Sequence, residues 1–233
     1  MRCFPLFRSM LRPLLLVGCM TVSAAPWAAD LQIQVLDRAG KPLPEAVVLL
    51  DTQQPGARPA PQLEQTITQQ QMRFQPQVSV VSPGAKITFT NLDKWNHHVR
   101  GGLSGPGGVY LDPTQGFSFR LSAKREGQPL ATATQQLSQP GPYLLGCHLH
   151  GSMRGHVYVS DTPWAAVSDD KGQVLLAGVP EGPARLRVWH VDQLVDGAPQ
   201  AVQVSSTSGM VKLTTAIEAR ARKTAMEERA PGY

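Results

Sequence analysis

The stretch Pro140-Gly-Pro-Tyr-Leu-Leu-Gly-Cys147-His-Leu-His150-Gly-Ser-Met153 decides how the rest of this chain is read. An apolar approach through Tyr143, Leu144 and Leu145 ends at a cysteine. An imidazole (His150) stands three residues further on, and a thioether (Met153) six residues on. The chain has 3 cysteines, and Cys3 and Cys19 both lie in a segment that reads as an export signal. Once that segment is removed, Cys147 has no thiol to pair with. A free thiol outside the cytoplasm is exposed to oxidation and to mixed disulfides unless something occupies the sulfur.

Thiolate, imidazole and thioether together suit copper. A site that exchanges one electron compromises between the geometries of copper(I) and copper(II), with two imidazoles and a thiolate in a rough plane and a weak thioether above it. Cys147, His150 and Met153 supply three of these four donors. The remaining imidazole has to come from elsewhere in the chain, and Asn91-Leu-Asp-Lys-Trp-Asn-His97-His98-Val99 offers it.

The N-terminal 29 residues contain Arg2, Arg8 and Arg12, no acidic residue, an apolar run from Leu14 to about Val22, and then Ser23, Ala24 and Ala25. These are the parts of a signal peptide. The apolar run is too short to cross a bilayer as a helix. Cleavage is expected near Ala24, Ala25 or Ala29, with release to the periplasm. Leu16-Val17-Gly18-Cys19 resembles a lipobox, so a lipid anchor at Cys19 is the alternative. Without the three leader arginines, the 22 basic residues come close to balancing the 17 acidic ones, so the formal charge of +5 belongs largely to the precursor. The chain has no basic stripe and no nucleic-acid motif, which argues against a nucleic-acid partner.

Downstream of the leader the chain reads as short strands punctuated by Gly, Pro and Asn. Strand signals fall at 31–35, 46–50, 78–81, 86–90, 117–121, 156–159, 173–176, 184–189, 200–204 and 211–213. Residues 53–61 read as a connector, and Gly101–Gly108 as a flexible loop. The expected class is all-β. Only the tail, 216–233, reads as helical or disordered.

Two segments then resemble one family. Gln77-Val-Ser-Val-Val-Ser-Pro-Gly-Ala-Lys-Ile-Thr-Phe-Thr-Asn91, followed by Asp93, His97 and Val99, resembles the first half of a cupredoxin. Pro140–Cys147, followed by His150, Met153, Gly155 and Val157, resembles the second half, and the Cys-x-x-His-x-x-Met loop is similar to that of amicyanin-like members. The resemblance covers residues 64–160. It implies a Greek-key β-sandwich with one copper ion, cycling between Cu(I) and Cu(II), on His97, Cys147, His150 and Met153. In the family the polar residue after the ligand histidine is often Asn. Here it is His98, which leaves His98 as an alternative ligand and puts the usual hydrogen bonding between the ligand loops in question. His148 is expected near the surface, outside the ligand set. His150 is expected to be the exposed imidazole, Trp95 either to shield the site or simply to pack, and His156 to lie on a strand surface.

The flanks resemble a second family. Val35–Leu50 and Ser168–Trp189 are similar to the early and later strands of carboxypeptidase-regulatory-like, transthyretin-type sandwiches. This implies a discontinuous second sandwich of residues 30–55 plus 162–215, with the copper unit inserted into it. The alternative is that residues 31–52 simply add strands to the copper unit. His190 is expected to be a surface or sandwich histidine.

The functional expectation is a non-enzymatic one-electron carrier serving a redox protein such as a cytochrome or dehydrogenase. A periplasmic copper-delivery protein and an envelope interaction protein with a structural copper site are the alternatives. An oxidase or nitrite reductase would need additional histidines around an open metal position.

Overall fold

In the computed structural model, residues 28–112, 116–207 and 209–220 are described. Their regular elements are strands, arranged in four sheets, apart from one short 3-10 turn. Strand pairing sorts these sheets into two sandwiches, one built from the middle of the described chain and one from its two ends.

The middle sandwich has a five-stranded sheet and a four-stranded sheet. The first runs in the order β5 (Val78–Val81), β11 (Arg154–Val159), β10 (Gly141–Cys147), β7 (His97–Leu103), β8 (Phe117–Leu121). The second runs β4 (Arg73–Gln75), β3 (Glu64–Gln70), β6 (Ala85–Asn91), β9 (Thr132–Leu137). β6 shows how the local sequence makes the layer. In Ala-Lys-Ile-Thr-Phe-Thr-Asn, Ala85, Ile87, Phe89 and Asn91 are buried while Lys86 is exposed. That period of two places the apolar half of the strand inside. Ile67, Ile87, Phe89, Val99, Leu145, Val157 and Val159 form the core, and Cys147 and Met153 lie in that same cluster.

The second sandwich joins segments far apart in sequence. β1 (Ala28–Leu36) lies between β13 (Gln173–Pro180), to which it is antiparallel, and β16 (Val211–Thr214), to which it is parallel. β2 (Val47–Thr52) lies between β12 (Trp164–Val167) and β14 (Gly182–Trp189), and β14 also pairs with β15 (Gln200–Val204). Its apolar core buries Leu31, Ile33, Val35, Leu43, Val48, Leu50, Leu176 and Leu186. The turn before β13 requires glycine at position 172. Its φ is 69°, and a Cβ there would stand 2.3 Å from the Val35 carbonyl oxygen.

The two sandwiches meet through a small apolar contact of Val47 and Leu49 with Val78, flanked by Val80, Tyr158, Ala165, Val167 and Trp189. Arg187 adds a polar tie. It is bidentate to Asp51, at 2.7 and 2.9 Å, and also reaches Asp161 in the connector between β11 and β12 at 2.7 Å.

The fold differs from several of these expectations. β3, β4, β7, β9, β10 and β12 were not among the strand signals. β3 (Glu-Gln-Thr-Ile-Thr-Gln-Gln) and β9 (Thr-Ala-Thr-Gln-Gln-Leu) are too poor in apolar residues to announce themselves, and their backbone pairing on either side of β6 holds them in the sheet. The loop expected over Gly101–Gly108 is in part strand: Gly101–Leu103 belong to β7, and only Pro106–Gly108 form a short 3-10 turn. His156 is not on a surface. It is 3% exposed, and its ring centroid lies 5.4 Å from that of Trp189 in the second sandwich. The leader, up to residue 27, lies outside the described residues, whereas Ala28 and Ala29 already pair with Pro180 and Val179 in β1. In the tail, Ala216–Arg220 are not helical, and residues 221–233 lie outside the described residues.

Candidate metal centre

β7 and β10 are antiparallel neighbours, with Val99 directly opposite Cys147. Directly opposed residues share a face of the sheet, and residues two apart on a strand share it too. His97 therefore points to the same side as Val99 and Cys147, into the sandwich, while His98 points away. This parity aims His97, and not His98, at Cys147. His97 is fully buried and its Nδ1 lies 3.6 Å from Cys147 Sγ. The ring of His98 faces outward and makes a 2.7 Å hydrogen bond with Ser118 Oγ.

The loop between β10 and β11 brings in the next donor. The His150 amide donates to the Cys147 carbonyl at 3.3 Å, and the Met153 amide to the His150 carbonyl at 3.0 Å. These two tight turns fold the loop back, so that His150 Nδ1 comes within 3.4 Å of Cys147 Sγ. The rings of His97 and His150 meet edge to face, 4.8 Å between centroids. His97, Cys147 and His150 each offer a donor atom, all within 4.8 Å of one another. A small ion bonded at roughly 2.0–2.3 Å to each would need neighbouring donors about 3.5 Å apart, which the two sulfur–nitrogen separations of 3.6 and 3.4 Å match. Met153 follows at the end of the loop, 2% exposed, in the same apolar cluster as Cys147.

One residue has a larger role than its place in the motif suggested. Asp93, 6% exposed, sets the orientation of His97 through a 2.9 Å contact between its Oδ2 and His97 Nε2. With that nitrogen donating to a carboxylate, the proton sits on Nε2 and the Nδ1 lone pair is left facing Cys147. Asp93 also accepts from the backbone amides of Gln71 and Met72, at 2.6 and 3.0 Å. Those two residues form the turn between β3 and β4 and have φ of 53° and 57°. A carboxylate that binds both amides helps hold a turn that side chains otherwise disfavour. Asn91 supports Asp93 in turn: its Oδ1 accepts from the Asp93 amide at 2.8 Å, and its Nδ2 donates to the Trp95 and Ser122 carbonyls at 2.9 Å. The signal in the sequence was a carboxylate four residues before a histidine and two after a buried-strand Asn.

With histidine at position 98, main-chain bonds join the two donor-bearing segments. The His98 amide donates to Cys147 Sγ at 3.4 Å, and the His148 amide donates to the His98 carbonyl at 2.9 Å. The two donor-bearing segments are thus joined without any side-chain amide. His148 is exposed, as expected, and its ring lies 5.1 Å from that of His98. Trp95 is 44% exposed and joins the network through its carbonyl. Leu149, 47% exposed, lies next to His150.

Burial, reinforced by the neighbouring His97 and opposed by Asp93, holds His150 below the usual histidine range. An imidazole that stays neutral keeps its lone pair available to a metal. Two imidazoles, one thiolate and a nearby thioether, with no carboxylate oxygen among the inward donors, are a soft, nitrogen-and-sulfur set that fits copper and does not fit magnesium or calcium. His190 takes no part. It is buried in the second sandwich, where its Nδ1 accepts from the Asp192 amide at 3.1 Å, and burial lowers its pKa.

No protein-family model matches the chain, and no curated protein matches it. Among solved structures it is similar to cupredoxins. A reduced amicyanin mutant is 19% identical over 41% of this chain and 80% of its own, with a TM-score of 0.29. Reduced auracyanin from the photosynthetic bacterium Roseiflexus castenholzii is 18% identical over 43% of this chain and 99% of its own, with a TM-score of 0.33. A purple cupredoxin from Nitrosopumilus maritimus is 19% identical over 41% and 98%, with a TM-score of 0.30. Each of these spans less than half of this chain.

Proposed function

We propose that this chain is an exported protein that binds one copper ion through His97, Cys147, His150 and Met153 and carries single electrons between redox partners. The observation that carries the proposal is the position of Cys147 Sγ, 3.6 Å from one imidazole Nδ1 and 3.4 Å from another, within the edge of an apolar core. When bound, copper would supply the one-electron couple.

The chain's own residues do the rest. Asp93 keeps the His97 proton on Nε2 and so fixes which nitrogen faces the metal. The bonds from Gln71, Met72 and Asn91 hold Asp93 in turn, so the imidazole cannot easily swing. Val99, Leu121 and Leu145 keep water from the inner side. His150, less buried than His97, brings one imidazole edge toward the surface, and Leu149 beside it offers apolar area for brief contact with a redox protein such as a cytochrome or dehydrogenase. The leader in residues 1–29 assigns the protein to the periplasm, with lipidation at Cys19 as the other outcome of export. The pairing of β1 and β2 with strands after residue 163 supports reading 64–160 as a copper unit inserted into a carboxypeptidase-regulatory-like sandwich of residues 30–55 and 162–215.

Adding copper(II) to the purified protein should produce an intense thiolate-to-copper absorption in the visible, and Cys147→Ser should abolish it. A colourless complex, or a band that survives the substitution, would overturn the proposal. Reversible one-electron cycling with the metal retained separates a carrier from a delivery protein, which would release copper on reduction or to an acceptor.

A further inference from the structure

The outward face of the five-stranded sheet has two differently treated halves. The β5–β11 side lies under the second sandwich, with Trp189 against His156 and Tyr158. On the β10–β7–β8 side, His148, Ser118 and Arg120 are exposed.

Strand register defines one row across this face. Arg154 on β11 is opposite Gly146 on β10, Gly146 is opposite Arg100 on β7, and Arg100 is opposite Ser118 on β8. Residues opposed in this way share a face. Arg154 is exposed, while a Cβ at the next residue, Gly155, would run into Phe74 in the core, so the row looks outward. Two arginines therefore stand on one face two strands apart, roughly 9–10 Å between Cα atoms, with a glycine between them. The adjoining row adds His98 opposite Arg120.

The space over Gly146 is shaped. The Arg100 guanidinium lies over the Tyr110 ring, 5.1 Å from its centroid, and its Nη1 is 3.4 Å from His148 Nε2. A Cβ added at Gly146 would find Arg100 Cγ and the Tyr110 hydroxyl oxygen at 3.8 Å each. Next to it, on the β8 side of Arg100, a cleft of about 190 Å³ is lined by Arg100, Gly101, Tyr110, Gly116, Phe117, Ser118 and His148. Among the described residues, no carboxylate lines it and neither Arg100 nor Arg154 enters an ion pair. Burial raises the Tyr110 phenol against the pull of Arg100 and Arg154.

We propose that the outward surface over Gly146, beside this cleft, binds a small oxyanion, a phosphate or a carboxylate group, between Arg100 and Arg154. A guanidinium presents paired donors that match two oxygens of such a group. Stacking on Tyr110 holds Arg100 in place before the anion arrives, so less freedom is lost on binding. The bound charge would stand one residue from Cys147, on the opposite side of the sheet. The site requires no copper, so its test is separate from that of the metal centre.

The experiment is a titration of the purified full chain with inorganic phosphate, and separately with acetate, at constant pH and ionic strength, followed by amide chemical shifts. Saturable shifts at Arg100, Tyr110 and Gly146 are expected with at least one of the two anions. Saturation by phosphate alone identifies a tetrahedral ligand, by acetate alone a carboxylate, and by both the shared oxyanion chemistry. Arg100→Gln and Arg154→Gln should each weaken binding about tenfold or more, since each removes a charge-assisted bond. Arg154 is exposed at a strand end, so its variant tests the site even if Arg100→Gln disturbs the Tyr110 stack. Shifts that fail to saturate with both anions, or an unchanged affinity in Arg154→Gln, would overturn the proposal.

Discussion

The two sandwiches share an architecture and differ at the edges of their cores. In the second sandwich the apolar cluster is bordered by polar side chains that are engaged locally: Ser168 bonds the Ala46 amide and the Leu43 carbonyl, and its one histidine, His190, accepts from the Asp192 amide. In the middle sandwich the apolar core runs up to Cys147 and Met153 and stops against two imidazoles. A sandwich end is a place where strand parity still dictates direction but the chain is free to turn. Here the parity of β7 and β10 aims His97 and Cys147 inward, and the short loop after β10 returns His150 to them. The second sandwich has a comparable interior and no such convergence among its described residues. The difference lies in which side chains the strand ends carry and in how tightly the following loop folds back.

This contrast can be tested from both sides. The largest expected effect is that of Cys147→Ser, which should remove the visible copper band entirely while leaving the sheet signature in circular dichroism. Next in size are core truncations. Leu50→Ala in the second sandwich and Leu145→Ala in the middle one should each cost about 2–5 kcal/mol in chemical denaturation. Leu50→Ala should leave the copper spectrum of the folded protein unchanged, whereas Leu145→Ala, two residues from the thiolate and on the same face, should alter it. A spectral change in Leu50→Ala would mean that the second sandwich shapes the site across the Val47–Val78 contact.

The contact itself responds to pH through His156. Burial, with Arg154 and His190 adding to it and Asp192 opposing, lowers the His156 pKa from 6.5 to about 4. Asp192 and His190 lie on the second-sandwich side of the contact and Arg154 on the sheet side. Because the folded value is below the unfolded one, the unfolded chain binds more protons between pH 6.5 and 4. Stability is therefore full above the unfolded pKa, falls as pH drops through this window, and levels off below it. The loss from this one group is about 3 kcal/mol. Denaturation midpoints measured across the window should flatten in His156→Leu. An unchanged slope would assign the pH dependence to other groups.

Smallest, and most local, is Asp93→Ala. It leaves two turn amides without their acceptor and frees the His97 ring, at a cost of about 1–3 kcal/mol. Copper affinity should fall roughly 10–100-fold, because a histidine ligand loses its orienting partner. Asp93→Asn keeps an oxygen acceptor and should recover part of the stability and less of the affinity. Equal recovery of both would reduce Asp93 to a turn residue.

The strongly patterned strands were legible from local sequence, since Lys86–Thr90 and Phe117–Leu121 place β6 and β8 within a residue. Gln- and Thr-rich β3 and β9 were not, since their pairing depends on partners far along the chain. His156 was misplaced for a related reason: alternation puts it on the outer side of its strand, and only the docking of Trp189 turns that side into an interior.

The sequence by itself determined that Cys147, His150 and Met153 lie within one loop and therefore near one another, because so few residues separate them. It also determined an all-β chain, because period-two alternation and frequent turns leave little else. Only the tertiary structure decided that His97 rather than His98 faces Cys147, that Asp93 holds it there, and that residues 28–52 close a sandwich with residues 164–214. Those facts depend on strand register and on contacts between segments distant in sequence. Register is set by the packing of whole sheets rather than by any local stretch of residues.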